Sequence, residues 1–394
     1  YQRSLIGVFG LPQLVLPRGD GCYVWDADGK RYLDLLGGIA VNTLGHNHPA
    51  VVAAVSKQAS EMLHLSNFFT SPAQIALAER LLALAGAPAG SGAFFCNSGA
   101  EAIEAAIKIS RRTGRTHLVA AQGSFHGRTT GALALTSKEI YRSPFEPLIP
   151  DVSFVPYNDI EALRRTVTDR TAAVFLEPIQ GEGGVVPATR AYLQAAREVA
   201  DATGALLVLD EIQSGIGRTG DWFAFQDTPG VLPDVMTLAK GLGGGVPIGV
   251  VIAFGAEVRG LLTAGQHGTT FGGNPLASAT GLAVLDQIET EGLLERARLT
   301  GEHLVEAVAR LGDPRIQQVR GRGLLRAIVL TEELAPAVAT AAREAGFIVN
   351  PVAAQAIRLA PPLIISTEQI DGFVHALPGL LDSATAATAS TQGA

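Results

Sequence analysis

Ala205-Leu206-Leu207-Val208-Leu209-Asp210 and Val235-Met236-Thr237-Leu238-Ala239-Lys240 decide how this chain reads. Each is a mainly apolar run that ends on a charge. Short runs of this kind fit strands buried on both faces, as in a parallel sheet. The charge then stands where a buried strand meets a loop. In open α/β sheets, ligands bind in the crevice outside that edge. Lys240 is followed at once by the flexible stretch Gly241-Leu242-Gly243-Gly244-Gly245. A lysine and an acid aimed at one crevice meet the needs of pyridoxal phosphate (PLP) chemistry. The amine condenses with the aldehyde, and the carboxylate keeps the pyridine nitrogen protonated so that the ring draws off electrons.

The same alternation extends outward in both directions. Ala93-Phe94-Phe95-Cys96, His117-Leu118-Val119-Ala120 and Ala172-Ala173-Val174-Phe175-Leu176 are further apolar strands. Leu193, Ala196, Val199 and Ala200 repeat at helical spacing, so residues 190–203 read as a helix, ended by Gly204. Near the start, Cys22 to Asp26 and Arg31 to Leu35 flank the turn Ala27-Asp28-Gly29-Lys30, a hairpin pattern. Helices are expected over 275–289 and 300–311, and strands near 324–330 and 357–359. The expected organisation is an N-terminal segment, 1–50, joining a small domain; a large cofactor-binding domain, 51–288; a C-terminal small domain, 289–382; and a disordered tail, 383–394, rich in Ala, Ser and Thr. The fold class is α/β: a mostly parallel central sheet with helices on both faces, plus a smaller α+β domain.

Composition narrows the function. The chain has 394 residues, 47% hydrophobic and 17% charged, which is enough to bury a large sheet. A net charge of −7 without a basic stripe gives no footing for nucleic acid. Two cysteines, Cys22 and Cys96, make no disulfide framework and fit a reducing compartment. The first residues show no charged-then-apolar signal pattern, and no run approaches the ~18 apolar residues of a membrane span. A cytoplasmic enzyme without membrane or nucleic-acid partners is the expectation.

Other stretches supply candidate ligand contacts. In Cys96-Asn97-Ser98-Gly99-Ala100-Glu101-Ala102 a buried strand turns into a helix, and Ser98, Gly99 and Ala100 offer small side chains and free backbone N–H groups to a phosphate. The same residues also read as a plain helix cap. In Ser124-Phe125-His126-Gly127-Arg128, Phe125 could stack on a pyridine ring and Arg128 could pair a carboxylate; a core aromatic and a surface arginine would look the same. Asp210-Glu211-Ile212-Gln213 supplies an acid for a ring nitrogen and an amide for a ring hydroxyl, or an acidic cap. In His267-Gly268-Thr269-Thr270-Phe271-Gly272-Gly273-Asn274-Pro275, Thr270 could complete a phosphate site, including that of a neighbouring subunit. Each piece is weak alone. Their joint occurrence at strand ends is strong.

Together with Leu44-Gly45-His46-Asn47-His48-Pro49, Glu177-Pro178-Ile179-Gln180-Gly181-Glu182-Gly183-Gly184 and Ile357-Arg358-Leu359-Ala360-Pro361-Pro362, these motifs resemble those of the class III (ω-amino acid) aminotransferases of PLP fold type I. The likeness runs over residues 14–381 and is greatest to the bacterial acetylornithine aminotransferases. It implies that Lys240 carries the cofactor and later moves the proton, that Asp210 meets the pyridine nitrogen, that Gln213 meets the ring hydroxyl and that Phe125 stacks on the ring. Ser98, Gly99 and Ala100 would hold the phosphate with Thr270 of a second subunit, which implies a homodimer. Arg128 and Thr269 would bind the distal end of the amino donor. Arg358 resembles the family's α-carboxylate arginine, and Glu182 the residue that covers it while an ω-amine reacts. A structural ion pair is the alternative for these two. Val8-Phe9 stands where many relatives have Asn-Tyr, a departure near the expected substrate entrance.

The reaction so implied moves an amine from N2-acetyl-L-ornithine to 2-oxoglutarate. Succinylated diaminopimelate, succinylornithine and ornithine would use the same chemistry. Gly215-Ile216-Gly217-Arg218-Thr219-Gly220 matches a dinucleotide-binding pattern, but residues 221–233 hold no adequate helix for the pyrophosphate, so an NAD-dependent oxidoreductase is disfavoured. A non-enzymatic PLP-fold protein would have lost Lys240 or Asp210. His46 and His48 lack a third ligand at metal spacing, so no metal is expected.

Overall fold

The computed structural model describes residues 2–392. A seven-stranded sheet lies at its centre, in the order Gly92–Cys96, Gly249–Ala253, Val235–Leu238, Leu206–Asp210, Thr171–Leu176, His117–Ala121 and Val152–Val155. The strands from Val235–Leu238 to Val152–Val155 pair in parallel. Gly249–Ala253 alone runs antiparallel to both its neighbours. Side chains alternate across a strand, and here they sort into two apolar cores. Leu207, Leu209, Met236 and Ile252 join one core with Leu193, Ala196 and Ala200 of the helix Arg190–Thr203. Val208, Val235, Val251 and Phe175 join the other with Ala102, Ile103 and Ala106 of the helix Gly99–Arg111. Helices therefore cover both faces, which explains why these strands are apolar throughout.

The helix Arg190–Thr203 has the expected bounds. Its N-cap Thr189 accepts a hydrogen bond from the Tyr192 N–H, and Gly204 ends it at a φ of 70°. The helix expected over 300–311 begins earlier and spans Leu293–Arg310. Gly292, at a φ of 61°, lets the chain turn there, and Leu293 and Ala297 carry the buried face back by two turns.

A four-stranded antiparallel sheet, Ile316–Arg322, Leu325–Leu330, Ala356–Leu359 and Asn350–Ala353, follows in the C-terminal part. The N-terminal hairpin of Tyr23–Trp25 and Arg31–Asp34 forms as expected, and Phe347–Ile348 pairs in parallel beside it. The N-terminal hairpin and the C-terminal part thus share one sheet. The expectation of disorder from residue 383 is corrected. The last helix, Thr367–Gln392, continues over residues 383–392, while 393–394 lie outside the described residues. Alanine is a strong helix former, Ala384 is buried on the core, and the Thr385 and Thr388 hydroxyls donate to the carbonyls of Leu381 and Ala384.

Candidate active site

Asp210 and Thr237 are register partners at the ends of adjacent parallel strands, so Asp210 and Lys240 leave the sheet at the same edge. Lys240 opens a short 3-10 turn, Lys240–Gly243, with a φ of +35°. Left-handed backbone at a non-glycine residue is costly and persists only where its surroundings enforce it. Thr43 helps here by donating its hydroxyl to the Gly241 carbonyl at 3.0 Å. The two residues line a cavity of about 480 Å³ with Ser98, Gly99, Ala100, Phe125, Arg128, Glu182 and Gln213. Burial pulls the Lys240 amine below the ordinary lysine value; Asp210 opposes this and Arg358 adds to it.

Asp210 is fully engaged on one side. Its Oδ2 lies 2.7 Å from His126 Nδ1, and its Oδ1 accepts from the Ile212 N–H at 3.0 Å and the Thr237 hydroxyl at 3.3 Å. Burial works against a charged His126, but the Asp210 hydrogen bond and charge outweigh it and raise the imidazole's pKa. Its Nε2 is buried with no partner among the described residues. Behind this pair sits Glu177, whose carboxyl is raised by burial and opposed by His126. Glu177 accepts from the N–H groups of Phe125 at 3.0 Å and Gly181 at 3.3 Å.

On the opposite side, Ser98 caps the helix Gly99–Arg111 by accepting from the Glu101 N–H at 3.2 Å. Glu101 reaches back to the Asn97 N–H at 2.6 Å. This reciprocal cap holds the helix start rigid, and the first N–H groups of a helix have no partner within it. The strand Gly249–Ala253 packs close against it: a Cβ on Gly249 would fall inside contact distance of the Ser98 carbonyl.

Phe125 forms a wall of the cavity, edge-on to Tyr141 at 6.5 Å between ring centroids. Arg128 is exposed at the mouth, with its guanidinium 3.5 Å from the Tyr141 ring centroid. Arg358 is buried behind the cavity wall. Its Nη1 donates to Glu182 Oε1 at 2.5 Å and to Gln213 Oε1 at 3.3 Å, and its Nη2 donates to Asn350 Oδ1 at 2.9 Å. Gln213 has room for this because residue 181 is glycine; a Cβ there would collide with the Gln213 amide.

The fold therefore gathers every expected site residue around one cavity except Thr269 and Thr270. Those lie in a second cavity of about 760 Å³, with Asn67, Phe68, Gln74 and His267. Thr269 Oγ1 there accepts from Asn97 Nδ2 at 3.2 Å, and Thr270 is exposed. His126, Glu177 and Asn350 went unassigned in the sequence. His126 stood inside a quoted motif, yet its partner Asp210 is 84 positions away and no local pattern joins them. His46 bonds Asp34 at 2.8 Å and His48 caps the helix Pro49–Glu61, so both have structural partners. Among the described residues, Gly215 to Gly220 lead only into the short 3-10 turn Ala224–Asp227.

A buried amine of lowered pKa, a carboxylate backed by imidazole, an aromatic wall and an open helix N-terminus in one cavity fit a phosphorylated pyridine aldehyde. The chain belongs to the class-III aminotransferases, whose family pattern matches residues 10–381. It is 56% identical to the acetylornithine aminotransferase of Streptomyces coelicolor over 384 residues, covering 98% of this chain and 95% of that protein. It is 54% identical over 387 residues to the acetylornithine aminotransferase of Mycobacterium tuberculosis, covering 98% and 96%. Among solved structures, N-acetylornithine aminotransferase from Stenotrophomonas maltophilia superposes with a TM-score of 0.83 at 35% identity, over 97% of this chain and 99% of that one. The ornithine aminotransferase of Toxoplasma gondii gives 0.91 at 31% identity, over 99% and 94%.

Proposed function

We propose that this chain transfers the terminal amine of N2-acetyl-L-ornithine to 2-oxoglutarate, giving N-acetyl-L-glutamate 5-semialdehyde and L-glutamate, in arginine biosynthesis. The carrying observation is the Glu182–Arg358 pair beside Lys240 and Asp210. Its cofactor is pyridoxal 5′-phosphate, which when bound supplies an aldehyde for the amine and a protonated ring that withdraws electron density from the neighbouring carbon. Every other part of the work falls to side chains of the protein. Lys240 holds the cofactor, and its amine, neutral once released, takes the proton from the carbon bearing the substrate amine. Asp210, supported by His126, keeps the ring nitrogen protonated. Phe125 covers the ring face. The N–H groups at Gly99 and Ala100, with the Ser98 hydroxyl, receive the phosphate. Gln213 gives its amide oxygen to Arg358, so its NH₂ is left for the ring hydroxyl.

Two substrates of different shape must use one site. Glutamate places a carboxylate next to the reacting carbon; acetylornithine places a methylene chain there. An uncovered Arg358 would face that chain unpaired, which is costly for a buried charge. Glu182 covers it in the first half-reaction and leaves for the dicarboxylate in the second. Arg128 at the mouth receives the distal, acylated end of the donor; Thr269, which lies beside Thr270 in the second cavity, would meet that end only across the dimer. Glu182→Ala is expected to slow the acetylornithine half-reaction at least ~10-fold relative to the glutamate half-reaction, equivalent to about 1.4 kcal/mol. Equal slowing of both in single-turnover kinetics would reduce the pair to a structural ion pair.

A homodimer completes the reading. Thr270 is exposed, Phe68 lines the same cavity, and Phe271 follows it; both rings are exposed, as interface residues are before association. In the dimer Thr270 reaches the partner's phosphate site. Two free, buried cysteines suit a cytoplasmic setting. No helix among the described residues is long and apolar enough to cross a membrane.

The donor is tested by visible absorption of the purified protein with no oxo acid present. Adding N2-acetyl-L-ornithine should move the cofactor band to shorter wavelength, faster than ornithine, succinylornithine or succinylated diaminopimelate at equal concentration. A faster response to any of these would transfer the assignment to it.

A further inference from the structure

Arg358 must stay in place while the carboxylate that covers it moves away, and the fold treats its partners differently. Glu182 lies in Gly181-Glu182-Gly183-Gly184, between the two-residue strands Ile179–Gln180 and Val186–Pro187. Gly184 has a φ of +100°. A carboxylate flanked by glycines can swing with little backbone cost. Asn350 is the opposite case. It sits on the strand Asn350–Ala353, in direct register with Arg358 on Ala356–Leu359. Pro351 follows and restricts Asn350 to extended backbone. Arg358 is held on its other side by pairing with Ala327.

We propose that Asn350 is a positioning residue for the oxo-acid half of the reaction, fixing the Arg358 guanidinium so that it remains aimed after Glu182 departs. The inference rests on the reading of Arg358 as the α-carboxylate receptor. An amide oxygen suits the task because it accepts from the guanidinium without cancelling its charge. Each Nη carries two hydrogens. Asn350 takes one from Nη2, Glu182 vacates Nη1, and a forked pair of donors is left for the incoming carboxylate. Once Glu182 has gone, the 3.3 Å contact to Gln213 and the 2.9 Å contact to Asn350 remain, and Arg358 Nε has no partner among the described residues. The shorter bond is the one anchored on a strand.

The test uses the holoenzyme and follows each half-reaction separately in single turnover, with KM and maximal rate resolved. Asn350→Ala should raise KM for 2-oxoglutarate and glutamate about tenfold, the scale of a lost hydrogen bond to a charged group. The maximal rate, the cofactor absorption and the N2-acetyl-L-ornithine half-reaction should stay unchanged. Asn350→Asp keeps the shape and the bond but adds a charge that cannot leave. It should also raise KM for the dicarboxylates while sparing acetylornithine, and it remains informative if the alanine variant folds poorly. Equal effects on both halves, or no effect on either, would overturn the proposal. Arg358→Ala is the control for the underlying reading: if it leaves the dicarboxylate half intact, that reading fails, whereas a dicarboxylate defect in Arg358→Ala with none in the Asn350 variants removes Asn350 alone.

Discussion

Lys240→Ala is expected to lower the single-turnover rate with N2-acetyl-L-ornithine by at least about 10⁴-fold, the upper range for loss of a positioned base, because the proposed covalent hold on the cofactor is lost as well. No neighbour can take over. His126 is held by Asp210, Glu177 by two backbone N–H groups, and Glu182 by Arg358. Burial holds the Lys240 amine below the ordinary lysine value, and the residue lines the cavity. Lys240→Arg should fail to nearly the same extent, since a guanidinium stays protonated. Rapid mixing of excess enzyme with donor, at saturating PLP, measures the loss. A variant keeping more than about one per cent of the rate would mean that another group in the cavity acts as base.

Asp210→Asn is expected to have the second-largest effect. The amide cannot hold a proton on the ring nitrogen by charge, and turnover is expected to drop by roughly 10²–10³, the range seen when an electrostatic stabiliser is removed. A second signature separates this from simple misplacement. His126 has a raised pKa in the folded protein because of Asp210. A raised folded value means that the His126–Asp210 interaction contributes its full stability below the ordinary histidine value of 6.5 and loses it as pH rises through the folded value. In the apoprotein, the urea midpoints of wild type and Asp210→Asn should therefore lie furthest apart just below pH 6.5 and converge as pH rises through the folded value. A gap that widens as pH rises would contradict a charged His126–Asp210 pair.

Much of this was visible in the amino-acid sequence, for identifiable reasons. A buried parallel strand must be apolar on both faces, so Ala172 to Leu176 and Leu206 to Leu209 announce themselves. The helix Arg190–Thr203 carries its cap, its periodicity and its terminating glycine within its own segment. The reversal of Gly249–Ala253 carries no such mark, because an apolar strand reads the same in either direction. The tail showed only its Ala, Ser and Thr composition, while its helix also depends on Ala384 meeting the core. The site divides the same way. Lys240 and Asp210 were legible as charges at strand ends. The Arg358–Glu182 pair, 176 positions apart, was reachable only through resemblance. Asn350 was not reachable at all, because its importance lies in a cross-strand register that local pattern does not specify.

The reversed strand Gly249–Ala253 also limits how this chain can change in length. A parallel neighbour would need a long crossover, usually a helix, before returning to the ligand edge. Reversal lets the chain pass from Lys240 over the cavity, through Gly245 to Ile248, and re-enter the sheet at the same edge against Ser98. One short strap therefore joins the Lys240 amine to the helix start at Ser98, the proposed phosphate site. Surface loops elsewhere can absorb inserted residues, but on the proposed roles an insertion in this strap would alter the separation of the groups that would meet the cofactor's aldehyde and its phosphate, which neighbouring ring atoms carry. On that reading the strap is a gauge block, its length matched to the spacing between the cofactor's aldehyde and its phosphate.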